Sequence, residues 1–291
     1  MPAEIVEHAP AKVNLALHVT GRRADGYHLL DTLVAFTEAG DRITVAAAQH
    51  DSFSIEGSFA APLRDEADNL VLRARDLLRG ICGDLPPVAI TLEKNLPVAS
   101  GIGGGSSDAA ATLRALVRLW GLDLSTDGLA SAALPLGADL PMCLHARTLV
   151  ARGIGEEIET IEGFPPLHMV LANPGIAVST PAIFRALASR ENPPLPALPG
   201  PGGLSSWLAD TRNDLEAPAR ELAPAIDVTL SALIANGASL ARMSGSGATC
   251  FGLFASTGEA QAAASAIAAR HPAWYVTATR TIERAHADVA Y

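Results

Sequence analysis

The stretch LPVASGIGGGSSDAAATLRAL, residues 96–116, joins a glycine-rich loop to an alanine-rich run with helical spacing. From Asp108 onward the apolar side chains fall on one face of a helix, which Gly121 ends. Ser106 and Ser107 are therefore expected at the helix N-terminus, where unpaired N–H groups and the helix dipole favour an anion. Because the preceding glycines have no β-carbon, a phosphate could rest on the backbone. The stretch predicts a phosphate-binding loop.

A flexible linker is the alternative interpretation of a segment so rich in glycine and serine. The preceding segment VAITLEKNLP, residues 88–97, alternates apolar and polar residues like a half-buried strand, however, and a strand, loop and helix in succession favour phosphate binding. The Walker pattern is excluded because neither Lys12 nor Lys94, the two lysines of the chain, lies in or after the loop. The dinucleotide pattern fails because Ser106 stands where its last glycine belongs.

Composition narrows the class of protein. A chain of 291 residues with 49% hydrophobic content is long enough for one large or two ordinary domains. Its formal net charge of −10 argues against nucleic acid polymers and anionic membranes as partners, because both would be repelled. Three cysteines without CxxC spacing argue against a disulfide framework or a zinc site. An acidic start without a signal-like apolar run leads us to expect a cytoplasmic protein.

The order of predicted elements favours an α+β fold of two domains, with mixed sheets and helices packed mainly on one face of each. Strands are predicted at residues 13–19, 32–37, 42–47 and 53–57, and a helix at residues 69–82. The segment GFPPLH, residues 163–168, is the predicted boundary. We therefore expect an N-terminal domain over residues 1–162 and a C-terminal domain over residues 163–291.

Three further segments contain residues of unusual type for their position. Lys12 begins a strand, and the pair Tyr27 and His28 follows a predicted turn. Asp139 lies in an apolar segment, where a carboxylate is unusual unless it caps a helix or has a chemical role. The segment MSGSGATCFGLF, residues 243–254, is a second glycine and serine turn between strands. Taken singly, Lys12 could be a solvated lysine at a strand end and Asp139 a helix cap.

Together these segments resemble the GHMP kinases, a family of ATP-dependent kinases that act on small molecules. The loop PVASGIGGGSSDAA, residues 97–110, is similar to the phosphate loop of the whole family. The segments AKVNL and GRRADGYH, residues 11–15 and 21–28, are similar to members whose substrate is a cytidine diphosphate sugar alcohol. The alternatives are a kinase of the homoserine or mevalonate type, whose substrates have no cytosine, and an inactive nucleotide-binding regulator.

The resemblance implies ATP and Mg²⁺ as cofactors, with the metal ligands open, and a monomer or homodimer without a polymer or membrane partner. It implies that Lys12 and Asp139 are the catalytic residues. The implied ATP-binding residues are Pro97, Val98, Ala99, Ser100, Gly101, Ile102, Gly103, Gly104, Gly105, Ser106 and Ser107. The implied substrate-binding residues are Asn14, Tyr27, His28, Thr180 and Phe184. Gly245, Ser246 and Gly247 are implied to lie near the phosphates.

Overall fold

The computed structural model describes residues 4–64, 68–200 and 202–282 of the chain. The first sheet consists of β1 (Glu4–Arg22), β2 (His28–Ala47), β3 (Ser52–Glu56), β4 (Val88–Glu93), β5 (Leu149–Gly153) and β6 (Glu157–Thr160). The second sheet consists of β7 (His168–Asn173), β8 (Leu240–Met243), β9 (Cys250–Phe254) and β10 (Tyr275–Arg280). The helices are α1 (Leu70–Cys82), α2 (Gly104–Trp120), α3 (Thr126–Ala133), α4 (Leu140–His145), α5 (Thr180–Ala186), α6 (Leu204–Asp210), α7 (Glu216–Leu222), α8 (Ala225–Ala235) and α9 (Thr257–Arg270).

The two sheets are stacked between helices. The first sheet is mixed, because β3 and β4 run parallel whereas its other pairs are antiparallel, and the second sheet is antiparallel throughout. One face of the first sheet packs against α1 and α2, and the outer face of the second sheet packs against α8 and α9. Between the sheets, Val13 and Leu33 pack in one core with Met169 and Phe251. The predicted α+β fold with helices on one face of each sheet is confirmed.

A long antiparallel pair, β1 with β2, organises the first sheet. The strands predicted at residues 32–37 and 42–47 are in fact parts of the single strand β2, so the predicted break between them is wrong. The register slips between Pro10 and Lys12, opposite residues 37–39 of β2, so the pair is irregular there without ending. Lys12 therefore lies beside a local irregularity in the strand.

The strand predicted at residues 13–19 is only part of β1, so Lys12 lies within this strand and not at its start. The helices agree more closely with their predicted bounds. The helix predicted at residues 69–82 is α1, whose first turn is capped by Asn69 Oδ1 accepting from Val71 N at 2.9 Å. The helix after the glycine loop begins at Gly104, ahead of the serines, because Gly103 is left-handed with a φ of 65° and its carbonyl accepts from Ser107 N. The chain changes sheet between Thr160 and His168. The division into domains at residue 163 stays a prediction, since the two sheets share a core.

None of the helices in the described ranges is both long enough and apolar enough to cross a membrane.

A buried ammonium group joins the glycine loop to the first sheet. Lys94 Nζ lies 2.5 Å from Asp41 Oδ2 and 2.6 Å from Asp108 Oδ2, and the three side chains are 2%, 0% and 3% exposed. The second oxygen of Asp41 accepts from the backbone N–H groups of Asn95 and Leu96, at 2.6 and 2.8 Å. Oδ1 of Asp108 finds no hydrogen-bond partner among the described residues. This triad fixes the end of β4 and the first turns of α2 to β2.

The charges of the triad do not balance if both carboxyl groups are ionised. Burial raises the pKa of Asp108 well above its ordinary value, although the attraction of Lys94 opposes the shift. Desolvation lowers the pKa of Lys94, but the two carboxylates outweigh this effect and raise its pKa. A proton kept on Asp108 therefore leaves Lys94 paired with the single negative charge of Asp41.

Asp108→Asn tests this charge state through stability. In the folded protein Asp108 keeps a proton that the unfolded chain loses above about pH 4, so the wild type loses stability as pH rises through that window. The variant cannot ionise there, and we expect its stability relative to the wild type to increase from about pH 5 to about pH 8, by at most roughly 1.4 kcal/mol per pH unit. Thermal unfolding across that range measures the difference.

The matched control is Asp51→Asn. A hydrogen bond from Arg79 holds the pKa of Asp51 well below its ordinary value, so the contribution of Asp51 is lost only as pH falls below about 4. Its stability difference from the wild type should be constant between about pH 5 and about pH 8. If the stability of Asp108→Asn and that of the wild type change in parallel with pH over this range, Asp108 is ionised in the folded protein.

Candidate active site

A lysine and an aspartate face each other where the two halves of the chain meet. Lys12 Nζ lies 3.1 Å from Asp139 Oδ2, with the lysine side chain 5% exposed and the aspartate side chain 43% exposed. Asp139 directly precedes α4, yet its side chain makes no capping hydrogen bond to that helix. The alternatives of a solvated strand-end lysine and a helix-capping aspartate are therefore wrong. The pair combines a buried cation with a carboxylate that a ligand can reach.

Asn14 orients this pair through a chain of hydrogen bonds. Lys12 Nζ donates to Asn14 Oδ1 at 3.4 Å, and Asn14 Nδ2 donates to Thr32 Oγ1 at 2.9 Å. The hydroxyl of Thr32 in turn donates to the carbonyl of Ala16 at 2.7 Å. With its amide nitrogen committed to Thr32, Asn14 presents its oxygen to the ammonium group. The strand pair β1 and β2 thus fixes the position of Lys12 Nζ.

The two glycine-rich loops pack backbone to backbone. Gly101 has a φ of 77°, and a β-carbon there would lie 2.6 Å from the carbonyl oxygen of Gly247. A β-carbon on Gly245 would lie 2.8 Å from the carbonyl oxygen of Gly101. Ser244 Oγ donates to that same carbonyl at 3.2 Å and accepts from Asn14 N at 3.1 Å. These contacts join the first loop, the second loop and β1 at one point.

The remaining glycines of the first loop also approach protein atoms. A β-carbon on Gly103 would lie 3.1 Å from the Lys12 side chain, and one on Gly104 would lie 3.0 Å from Lys94 Nζ. The glycines were expected from the sequence to clear space for a phosphate. In the structure, the missing β-carbons at residues 101, 103 and 104 leave space for the second loop, for Lys12 and for Lys94, respectively.

A cavity of about 430 Å³ lies over the first loop and the pair of Lys12 and Asp139. Lys12, Asn14 and Asp139 line it together with residues 99–101, 103–106 and 245–247. Four residues of the predicted loop set, Pro97, Val98, Ile102 and Ser107, are not part of its lining. Ser107 is fully buried and its hydroxyl donates to the Pro10 carbonyl at 2.7 Å, so that Ser106 is the serine that faces the cavity.

A second cavity of about 820 Å³ opens beside the first. Tyr27 and His28 line it, and Thr180, Phe184, Ser106 and Asp139 line both cavities. The hydroxyl groups of Thr180 and Ser246 are hydrogen-bonded at 2.7 Å, which connects α5 to the second glycine loop. Of the predicted substrate residues, Tyr27 and His28 therefore line only the larger cavity, Thr180 and Phe184 line both, and Asn14 lines only the smaller one beside the first glycine loop.

The aromatic residues of the larger cavity have distinct environments. The rings of His28 and Phe184 are stacked, with centroids 4.5 Å apart and planes inclined by 20°, whereas Tyr27 is 58% exposed. Burial lowers the pKa of His28, and the positive charges of Arg22 and Arg190 lower it further. His28 is thus neutral at neutral pH, with one ring nitrogen as a donor and the other as an acceptor. Its Nε2 is buried and unpartnered within the described ranges.

Several residues of the site were not identified from the sequence. Ser244 and Thr32 act through hydrogen bonds to Asn14, and Arg22, Arg185 and Arg190 line the larger cavity. Of these, Ser244 and Arg22 lie inside segments that the sequence had marked, but no local pattern distinguishes Arg185 or Arg190. Within residues 4–64, 68–200 and 202–282, no three His, Cys, Asp or Glu side chains cluster as metal ligands.

Comparisons with known families agree with this geometry. Residues 69–147 match the family of GHMP kinases N terminal domains, and residues 197–273 match the family of GHMP kinases C terminal domains. The first match contains the glycine loop and Asp139, and the second contains the loop at residues 244–247.

The similarity to known proteins extends over nearly the whole chain. A 4-diphosphocytidyl-2-C-methyl-D-erythritol kinase of Rhizobium leguminosarum bv. trifolii is 59% identical over 283 residues, 96% of this chain and 95% of the relative. The kinase of the same name from Agrobacterium fabrum is 56% identical over 289 residues, 96% of this chain and 97% of the relative. A crystal structure of 4-(cytidine 5'-diphospho)-2C-methyl-D-erythritol kinase is 35% identical with a TM-score of 0.81, covering 95% of this chain and 99% of that one.

A more distant structural likeness concerns the fold alone. The crystal structure of homoserine kinase from Cytophaga hutchinsonii is 18% identical, with a TM-score of 0.72, and the match covers 98% of this chain and 96% of that one.

Gly101→Ala tests the packing between the two glycine loops. The new β-carbon would meet the Gly247 backbone, so we expect a loss of stability of more than about 2 kcal/mol and a strong rise in the KM for ATP. The control is Gly163→Ala, where φ is 67° but nothing lies within 4 Å of the added carbon. The control should lose only about 1–2 kcal/mol and keep its KM. Equal effects in the two variants would show that only backbone strain matters at Gly101.

Proposed function

The chain belongs to the GHMP kinase family, among the 4-diphosphocytidyl-2-C-methyl-D-erythritol kinases, and we propose that Lys12 and Asp139 catalyse its phosphoryl transfer. The reaction moves the γ-phosphate of ATP to the 2-hydroxyl of 4-diphosphocytidyl-2-C-methyl-D-erythritol and gives the 2-phosphate and ADP, a step of the non-mevalonate route to isoprenoid precursors. The observation that supports the residue assignment is the position of the Lys12 and Asp139 pair, at the junction of the two cavities.

Lys12 and Asp139 can activate the acceptor alcohol as a nucleophile. An alcohol is a weak nucleophile at neutral pH, and a positioned carboxylate can accept its proton as the oxygen attacks the γ-phosphorus. Asp139 has an accessible carboxylate for this role, while Lys12 Nζ holds both Asp139 and the acceptor oxygen in place. The bond from the γ-phosphorus to the bridging oxygen then breaks, and ADP leaves. One carboxylate and one ammonium group suffice for the proton transfer.

The first turn of α2 is the proposed site for the phosphates of ATP. Gly104, Gly105 and Ser106 are its first three residues, so their N–H groups have no acceptor within the helix, and all three residues line the smaller cavity. The helix dipole adds a partial positive charge at the same place. This arrangement binds an anion without a side-chain cation, despite the net charge of −10 on the chain.

Mg²⁺ is proposed to accompany ATP. The Ser106 hydroxyl and the Asp139 carboxylate both line the smaller cavity, and such oxygen atoms are the ligands that Mg²⁺ prefers alongside phosphates and water. Because Asp139 is the proposed base, the Ser106 hydroxyl would hold the ion together with phosphate oxygens of ATP. When bound, it neutralises negative charge on the transferred phosphate.

The larger cavity is the proposed site for the cytidine moiety. The exposed ring of Tyr27 offers a face for stacking, and the neutral imidazole of His28 offers a donor and an acceptor for the edge of the base. Phe184 supports His28 through the observed ring stack. Thr180 lies between this aromatic group and the phosphate cavity, because its hydroxyl is bonded to Ser246.

Asp139→Asn tests the proposed base. The substitution keeps the shape of the side chain but removes the proton acceptor, so kcat should fall by about 10²–10⁴-fold while both substrates still bind. Lys12→Met should give a comparable loss. The double variant should be barely worse than either single variant, because the two residues act on one proton transfer. Steady-state kinetics with ATP and the cytidine substrate measure all three.

The control for this pair is Asp127→Asn, at an aspartate that is 92% exposed in the neighbouring helix α3. It should keep wild-type kcat. Additive losses in the double variant would mean that Lys12 acts separately from Asp139, for instance on a phosphate. If Asp139→Asn keeps most of its turnover, another group is the base.

His28→Ala tests recognition of the base. Loss of a partly buried polar group should raise the KM for the cytidine substrate by an amount equivalent to about 1–3 kcal/mol, with the KM for ATP nearly unchanged. The control is His145→Ala, because burial also lowers the pKa of His145 but this residue lines neither cavity. Equal changes in both KM values for His28→Ala would indicate a structural role for His28.

A further inference from the structure

Three arginines line the larger cavity, and no carboxylate of the described ranges pairs with them. They are Arg22 at the end of β1, Arg185 in α5 and Arg190 a few residues later. Arg22 Nε donates to the Gly26 carbonyl at 3.2 Å, and Arg190 donates to the Arg185 carbonyl at 3.4 Å. Among the described residues, no Asp or Glu oxygen lies within ion-pair distance of any of the three.

The acidic residues of the same cavity are already neutralised. Asp25 Oδ2 lies 2.7 Å from Arg23, whose side chain does not line the cavity, and Asp139 is paired with Lys12. The three arginines are thus the uncompensated charges of the cavity wall, in a chain whose net charge is −10. Their field also reaches the base end of the cavity, because Arg22 and Arg190 both lower the pKa of His28.

Uncompensated guanidinium groups in an otherwise acidic protein point to an anionic ligand. A guanidinium group presents planar, paired N–H donors that match two oxygens of a phosphate group. The larger cavity extends from Tyr27 and His28 to Asp139, so a ligand held at both ends crosses the region that the arginines border. Such a ligand needs a polyphosphate segment between a base and an alcohol.

We propose that Arg185 and Arg190, with Arg22, bind the diphosphate group of the cytidine substrate. This assignment rests on the proposed function, since it places the base and the acceptor alcohol at the two ends of the cavity. Arg22 also holds the turn at Gly26 through its hydrogen bond. The other two arginines can be replaced with less risk to the backbone, because the bond between them is long.

The two polyphosphate groups of the reaction are then recognised differently. ATP meets backbone N–H groups in a narrow cavity, whereas the diphosphate of the acceptor meets flexible side chains that are exposed to solvent. Exposed charges are screened by salt over a Debye length of about 8 Å at physiological ionic strength. Binding of the acceptor should therefore weaken with added salt, and removal of the arginines should remove that dependence.

The test compares binding of CDP and of cytidine by calorimetry, with a non-hydrolysable ATP analogue saturating the nucleotide cavity. We expect the wild type to bind CDP at least about tenfold more tightly than cytidine, since charge-assisted hydrogen bonds are roughly twice as strong as neutral ones before screening by salt. Arg185→Gln with Arg190→Gln should reduce this preference to about threefold or less and leave cytidine affinity unchanged. Arg185→Lys with Arg190→Lys should restore part of the preference, because the charge returns without the paired geometry.

The matched control is Arg280→Gln, at an exposed arginine that pairs with Glu38, and neither of these two residues lines either cavity. It should keep the wild-type preference for CDP. A preference that survives the double glutamine substitution overturns the proposal, as does an equal loss of CDP and cytidine binding, which would mean that the arginines only shape the cavity. A wild type that fails to phosphorylate the cytidine substrate would refute the proposed function, which the binding ratio does not measure.

Discussion

One buried ammonium group determines where the phosphate loop stands. Lys94 lies between Asp41 on β2 and Asp108 on α2, and the second oxygen of Asp41 holds the two backbone N–H groups that follow Lys94. Removing Lys94 would leave an unpaired carboxylate in the interior, which costs several kcal/mol. The triad therefore adds little to the net stability of the fold, but it holds the end of β4 and the start of α2 in one position. The loop that it positions lines the smaller cavity, which is the proposed site for ATP.

The active site depends on contacts between residues that are far apart in the chain. Ser244 links the backbone of Asn14 to the first loop, and Thr180 bonds to the second loop through Ser246. Lys12 reaches Asp139 because β1 runs beneath the loop, where its backbone N–H donates to the Ile102 carbonyl. Each of the two cavities thus has walls from β1 and β2, from the first turn of α2 and from α5. Stacking of the two sheets on a shared core brings these walls together.

Local signals in the sequence predicted local structure well. Asn69 and Gly83 mark the ends of α1, and the alternation before the glycine loop identified β4. The resemblance of short motifs identified the pair Lys12 and Asp139, which local reasoning alone had left open between a catalytic and a structural role. The sequence predicted that the loop needs glycines but not that Gly101 packs against Gly247, because Gly247 lies in a distant part of the chain. Arg185 and Arg190 follow no period or motif, and only the folded cavity shows that they face the same space as His28.

The packing of Gly101 against Gly247 also bears on how such an enzyme changes during evolution. This seam contains backbone atoms without side chains, so almost any replacement there introduces atoms where none fit. The wall around Arg185 and Arg190 is exposed instead and tolerates changes of size and charge. We therefore expect natural or laboratory evolution to alter the acceptor of this scaffold through substitutions at the rim, while the nucleotide seam is inherited unchanged.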